Sequence, residues 1–284
     1  MSKDIEIVRT VADLRQRLAA WRQEDRTIGL VPTMGALHDG HFSLVDKAVQ
    51  SNDRTVTSLF VNPKQFGPGE DLDVYPRDEV ADAAALSERG VDLLFAPSVE
   101  EMYPDGAVTA VSVPGIGDLL EGGFRPGFFT GVATVVAKLL IQSLPHRAYF
   151  GEKDYQQLCV IRRLTKDLDL PIEIIACPIV REPDGLALSS RNAYLKAEER
   201  QAAPALHQAL INSGKDIANG AAVAASVAAA KSELLNAGFT KVDYIAVCDP
   251  ASLEELENVT GQARILGAAW LGKTRLIDNI AINT

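Results

Sequence analysis

The sequence predicts an α/β protein: a parallel sheet covered on both faces by helices, followed by a smaller C-terminal α+β domain. Three observations lead there. Apolar, β-branched runs alternate with helix-period segments from Ile28 to about Val180. Those runs are nearly continuous in apolar residues, as strands buried on both faces must be. After Val180 the order changes to helices followed by short strands. The domains are therefore expected over 1–179 and 180–284.

Each element has its own reason. Thr10–Glu24 sets Val11, Leu14, Leu18 and Trp21 at helical spacing, an amphipathic opening helix. Ile28–Val31 reads as a buried strand, Phe42–Gln50 as a helix, Thr55–Val61 as a strand and Glu79–Arg89 as a helix. Asp92–Ala96 is strand-like, Val132–Ser143 helical, Ala148–Phe150 a short strand, Tyr155–Leu168 helical and Ile172–Val180 strand-like. A polar loop, Arg181–Asn192, opens the second part. Helices are expected over Ala197–Ile217 and Ala222–Asn236, with strands at Lys241–Val247, Ala263–Ala269 and Thr274–Asn279.

Composition narrows the function. With 47% hydrophobic and 23% charged residues, the 284-residue chain has the usage of a folded globular protein, which excludes global disorder and coiled coil. A net charge of −10 argues against nucleic acid as the main partner, because phosphate backbones need a basic face. Cys159, Cys177 and Cys248 form no CxxC pair, so neither a disulfide framework nor a thiolate metal site is indicated. The first residues carry Asp4 and Glu6 and no apolar core of a signal peptide. Lys138 interrupts the apolar stretch around Val132–Ile141, so no membrane span is expected. A cytoplasmic location follows as the expectation.

Ligands of an open parallel sheet bind beyond the carboxyl ends of its strands, and the least ordinary local sequences stand there. The first strand runs into PTMGALHDGH (Pro32–His41). Gly35 and Gly40 permit tight turns, and a helix starting near Gly40 would present unpaired N–H groups. His38 and His41, three apart, would share its first turn and could donate to a polyphosphate. Two ordinary surface histidines, or a metal pair lacking a third ligand, are the plainer alternatives. GEKD (Gly151–Asp154) places Lys153 at a strand-to-helix turn to meet phosphate oxygens, with Asp154 able to accept from ribose hydroxyls; a surface turn with a capping Asp is the commoner use of such a tetrapeptide. LSSR (Leu188–Arg191) offers two hydroxyls and an Arg in a loop that Gly185 lets move. In NPKQF, Asn62 and Gln65 are uncharged amides suited to orienting a carboxylate or hydroxyl.

VPTMGALHDGH, FVNPKQF, YPR, FGEKDYQQL, GLALSSRNAYL and AAWLGKTRLIDN together closely resemble the pantoate–β-alanine ligase family, in order and spacing across nearly the whole chain. HxGH after a first Rossmann-like strand also resembles the wider nucleotidyltransferase group. The resemblance implies a Rossmann-like domain with a smaller C-terminal lid, a homodimer, ATP as substrate with Mg2+, and two steps through a pantoyl adenylate. It implies that His38 and His41 contact phosphates, His41 being the position usually described as proton donor. Lys153, Ser189, Ser190 and Arg191 would hold phosphates. Met34, Gly35, Gly40 and Leu188 would complete the ATP site, with Gly151 and Asp154 near the ribose and the Val180 backbone near adenine. Gln65 and Gln157 would hold pantoate, with Asn62 nearby. Phe128 and Thr130 stand where some relatives carry His and Arg, which weakens inference about dimer contacts there.

Gly267–Thr274 matches the phosphate-loop pattern GxxxxGK[ST] letter for letter, yet its interior (Ala268, Ala269, Trp270, Leu271) reads as buried strand and no helix follows. Lys273 is expected in a hairpin turn facing water. Two other functions compete: a transferase that moves AMP onto a phosphate, and a non-catalytic nucleotide sensor. The amides of NPKQF disfavour the first, since a phosphorylated acceptor demands cations there. Retention of both histidines, Lys153 and the serine loop disfavours the second, since sensing needs affinity alone.

Overall fold

The computed structural model describes residues 5–283, the side chain of Asn283 excepted. Asp4, used above to argue against a leader, lies outside the described residues. Contacts divide the chain into two units, the first running through Glu152 and resuming over Gln157–Pro178. The second takes Lys153–Gln156 and the chain from Ile179 on, so one short segment groups away from its neighbours in sequence.

The first unit holds a six-stranded parallel sheet. Its elements are β1 (Glu6–Val8), α1 (Val11–Gln23), β2 (Ile28–Thr33), α2 (Asp39–Ser51), β3 (Arg54–Leu59), α3 (Glu79–Glu88) and β4 (Leu93–Phe95). Two short helices follow, α4 (Val99–Met102) and α5 (Glu121–Phe124), then α6 (Phe128–Ser143), β5 (Arg147–Gly151), α7 (Tyr155–Asp167) and β6 (Glu173–Cys177). The strand order is β1-β4-β3-β2-β5-β6. Succession runs outward in one direction from β2 and in the other from β5, so the order reverses between those two neighbours. A crevice opens at such a reversal, beyond the strand ends. On one face, Val31 of β2, Val45 and Ala48 of α2, Leu86 of α3, Leu94 of β4 and Tyr149 of β5 pack together, all fully buried.

The second unit contains α8 (Ala197–Ala202), α9 (Ala205–Ala218), α10 (Val223–Asn236), β7 (Lys241–Cys248), β8 (Gln262–Leu271) and β9 (Thr274–Asn283). The strands form an antiparallel sheet in the order β7-β8-β9. Leu206 and Leu210 of α9, Leu234 of α10 and Ile245 and Ile265 of the sheet form its core.

The α/β class and both sheets follow the sequence expectation; several boundaries do not. β1 was not foreseen, being three residues of which one is charged. The helix expected over Ala197–Ile217 is two, because Pro204 stands at the break and has no N–H to continue the ladder. The strand expected over Ile172–Val180 ends at Cys177, before Pro178, which cannot donate to a sheet. Gly267–Thr274 crosses from β8 through the two-residue turn Gly272–Lys273 into β9, with Leu271 paired to Thr274, so it is a hairpin and not a phosphate loop. Lys273 is exposed there.

Candidate active site

β2 ends at Thr33, and the chain turns through Gly35 (φ 85°) and Ala36 (φ 52°). A left-handed alanine costs roughly 1–2 kcal/mol, so something must hold it. Asp82 of α3 does: its two carboxylate oxygens accept from the amides of Ala36 and Leu37, each at 3.0 Å. A Cβ on Gly35 would stand 3.0 Å from Asp82 Oδ2, which reserves the position for glycine. Asp82 is buried at 6% exposure, so its charge requires those two amides. Sequence reasoning did not identify Asp82. The available signal was a carboxylate on the same helical face as the buried Ala83 and Leu86.

The turn delivers the chain to α2, where His38 is the N-cap and His41 the third helical residue. His38 Nδ1 accepts from the Gly40 amide at 3.1 Å, and His41 Nδ1 accepts from the His38 amide at 3.4 Å. The two imidazoles thus form a reciprocal capping box, with ring centroids 4.1 Å apart. Because each neutral ring uses Nδ1 as acceptor, its proton resides on Nε2. Both rings are therefore oriented Nε2–H donors at a helix N-terminus, where the dipole favours an anion.

β3 leads into a single 3-10 turn, Pro63–Gln65. Asn62 is 1% exposed and its amide is satisfied within the protein. Its Oδ1 accepts from the Tyr103 hydroxyl (2.8 Å) and the Lys64 amide (3.2 Å). Its Nδ2 donates to Gln65 Oε1 (3.0 Å) and to the Gly131 carbonyl (3.2 Å). Burial pushes the Tyr103 hydroxyl up to about 12, so it remains a donor at neutral pH. Asn62 therefore orients Gln65, whose Nε2 contacts Met34 Sδ at 3.0 Å. Lys64, the cation of this segment, lies 4.3 Å over the Tyr103 ring. Arg125 donates to the Gln65 carbonyl (3.3 Å) and pairs with Glu70 (2.5 Å), tying the following loop to the same turn. Gln157, on α7, is half-buried in this unit.

In the second unit, Lys153 and Asp154 occupy the 3-10 turn after β5, with Nζ 3.5 Å from Asp154 Oδ1. The segment Arg181–Asn192 is not a free loop. Arg181 bridges Ala187, and Leu188 donates its amide to the Val180 carbonyl at 3.0 Å. Ser189 caps a 3-10 helix over Ser190–Tyr194, its Oγ accepting from the Arg191 amide at 3.3 Å. The structure thus joins His38 with His41, Asn62 with Gln65 and Met34, and Val180 with Leu188 through Arg191.

A six-stranded parallel sheet whose order reverses between β2 and β5, with the HxGH turn following β2, has the frame of the Rossmann-like α/β class. Comparison with known proteins narrows it. The family model described as pantoate-beta-alanine ligase matches residues 6–281. A pantothenate synthetase of Paramagnetospirillum magneticum is 57% identical over 282 residues, covering 99% of each chain. Among solved structures, a pantothenate synthetase of Thermus thermophilus superposes with a TM-score of 0.92 at 49% identity, covering 97% of this chain and 99% of that one. A pantoate-beta-alanine ligase of Francisella tularensis, complexed with beta-gamma ATP and beta-alanine, gives 0.82 at 37% identity, covering 97% of each. The chain belongs to the pantoate–β-alanine ligase family.

Proposed function

We propose that this ligase joins (R)-pantoate to β-alanine with consumption of ATP, in two steps. A pantoate carboxylate oxygen attacks the α-phosphorus, the bond to the β-phosphate breaks, and pyrophosphate leaves with that electron pair. The β-alanine amine then attacks the acyl carbon of pantoyl adenylate. The carbon–oxygen bond to AMP breaks and AMP leaves with that electron pair, the nitrogen loses one proton to solvent and keeps the other as the amide N–H, and pantothenate is released.

The observation that carries this reading is the reciprocal capping geometry of His38 and His41, which turns each Nδ1 to a backbone amide at the start of α2. A carboxylate approaching a triphosphate is repelled, and charge grows on the leaving pyrophosphate. Preorganised N–H donors at a helix N-terminus stabilise that charge without reorganising. We assign both histidines to the phosphates, with His41, His38 and Lys153 as catalytic donors. Lys153, Ser189, Ser190 and Arg191 hold phosphate oxygens; Met34, Gly35, Gly40 and Leu188 approach the nucleotide; Gly151 and Asp154 meet the ribose and the Val180 backbone the adenine. Gln65 and Gln157 bind pantoate, Asn62 acting through Gln65. The engagement of Lys64 with Tyr103 supports a hydroxylated monocarboxylate as acceptor over a more highly charged, phosphorylated one. ATP and pantoate binding over 1–179, with a smaller lid over 180–284, is part of the same proposal.

Mg2+ would accompany ATP as a hard cation and offset charge on the phosphates. Among the described residues no three His, Cys, Asp or Glu side chains gather to hold a metal. No helix among them is long and apolar enough to cross a membrane. A cytoplasmic location is supported by three buried cysteines that form no disulfide. A homodimer is supported by the stretch Ala107–Val113 in the first unit, which belongs to neither sheet and where Val108 is 90% exposed.

Pyrophosphate exchange into ATP tests the proposal. Exchange should require pantoate and proceed without β-alanine. Exchange that ignores pantoate, or that needs β-alanine, would overturn the order of steps.

A further inference from the structure

Two pieces of the second unit carry its phosphate-binding side chains: the segment at Lys153 and the loop from Arg181 to Arg191. Both are tied to adjacent residues of β9, Asp278 and Asn279. Successive strand residues point to opposite faces of a sheet, so one short stretch of β9 serves one element from each face.

Asp278 is 4% exposed and receives the Arg181 guanidinium end-on, at 2.6 Å from Nη1 and 2.8 Å from Nη2. Arg181 Nη1 also donates to the Gly185 carbonyl at 3.0 Å. The guanidinium thereby closes the turn that leads, through the Arg181–Ala187 bridge, to Leu188 and the serines. A bidentate pair fixes direction as well as distance. Beside it, His207 Nδ1 stands 3.8 Å from Asp278 Oδ2. Burial holds its pKa below the usual histidine value, so at neutral pH it adds no charge to the pair.

Asn279 is 2% exposed. Its Nδ2 donates to the Lys153 carbonyl at 3.0 Å, and its Oδ1 accepts from Arg264 Nε at 2.7 Å. Arg264 lies 3.7 Å over the Tyr155 ring, and the Tyr155 hydroxyl donates to the Pro250 carbonyl at 2.9 Å. The Lys153 main chain is thus fixed from β9 and the residue two further on from Arg264.

We propose that Asp278 and Asn279 are positioning residues for adenylate formation: Asp278 sets the Ser189–Arg191 segment through Arg181, and Asn279 sets Lys153 through its carbonyl. This rests on the assignment of Lys153 and the serine segment to ATP phosphates. Misplacing a charge-stabilising group by about 1 Å can slow a step ~100-fold.

The test separates the two half-reactions in the full-length protein. The first is single-turnover pyrophosphate release from ATP and pantoate. The second is capture of synthetic pantoyl adenylate by β-alanine, which transfers no triphosphate. D278N and N279A are each expected to slow the first about tenfold or more and to raise the ATP KM, while changing the second less than about threefold. D278E, which keeps the charge, should recover part of the loss. R181K, which keeps the charge but not the fork, tests the same link should D278N not fold. First-step rates within about threefold of wild type for R181K and N279A would overturn the proposal, as would equal losses in both half-reactions, which mark a merely structural role. K153A runs alongside. If K153A adenylates normally, the assignment beneath the proposal falls; if K153A is inactive while the tether variants are normal, only the tethering falls.

Discussion

Replacing Gly131 with alanine should loosen pantoate binding through a backbone contact, and its sign is unusual. In an exposed helix interior, Gly→Ala stabilises by about 1 kcal/mol. Gly131 is in the first turns of α6 (Phe128–Ser143), where its carbonyl accepts from Asn62 and the 3-10 turn presses against it. A Cβ there would fall 2.5 Å from the Lys64 carbonyl carbon and 2.9 Å from Gln65 Cα, with the Lys64 oxygen nearer still. Carbon contacts prefer about 3.5–4.0 Å, so the turn must retreat by roughly 1 Å. The obstacle is main chain, which cannot rotate away. Overpacking of this kind costs on the order of 3 kcal/mol, which outweighs the propensity gain and leaves a net loss of ~2 kcal/mol. Gln65 moves with the turn, and losing one directed hydrogen bond worth about 1–1.5 kcal/mol weakens pantoate up to about tenfold. Chemical denaturation reads the first effect and calorimetric titration of pantoate and ATP the second. A variant more stable than wild type, with pantoate affinity unchanged, would refute the packing and the role of Gln65 together.

The remaining expectations concern side chains. His38→Ala and His41→Ala should each slow single-turnover adenylation by roughly 10²–10³ with the fold retained by circular dichroism; rates within about threefold of wild type would remove the histidines from the chemistry. Gln65→Ala and Gln157→Ala should weaken pantoate by on the order of 1 kcal/mol while sparing ATP, and titration showing equal losses for both ligands contradicts that. Lys153→Ala should abolish measurable adenylation, whereas Lys273→Ala, in the exposed hairpin turn, should leave kcat and the ATP KM nearly unchanged; the reverse pattern would restore the phosphate-loop reading of Gly267–Thr274. Asp82→Asn keeps the shape but points an N–H at one of the two loop amides, so about 1–3 kcal/mol of stability and at least tenfold in adenylation rate should go together.

Much of the site was legible because it is local. HxGH is four residues long, and its capping geometry follows from spacing alone once a helix begins there; the same holds for GEKD as a turn after a strand, while LSSR is legible only as part of a polar loop. What could not be read is what holds those segments. Asp82 lies 46 residues from Ala36, Gly131 69 from Asn62, Asp278 97 from Arg181 and Asn279 126 from Lys153. Such pairings are set by strand order, which a single sequence does not display. Asn62 shows the opposite effect: its amide suits a ligand by type, yet burial and four internal hydrogen bonds commit it to Gln65. In the fold, Pro178 and Pro204 were visible as breakers but were outvoted by the apolar pattern around them, which made one strand too long and one helix continuous.

Adenylate chemistry leaves a mark on oxygen. Pantoate labelled with 18O in both carboxylate oxygens should be turned over with ATP and β-alanine, and the products weighed by mass spectrometry. Attack of the carboxylate on the α-phosphorus predicts one 18O in AMP, one in the amide carbonyl of pantothenate and none in pyrophosphate. Unlabelled AMP, or label in pyrophosphate or inorganic phosphate, would contradict activation through a pantoyl adenylate.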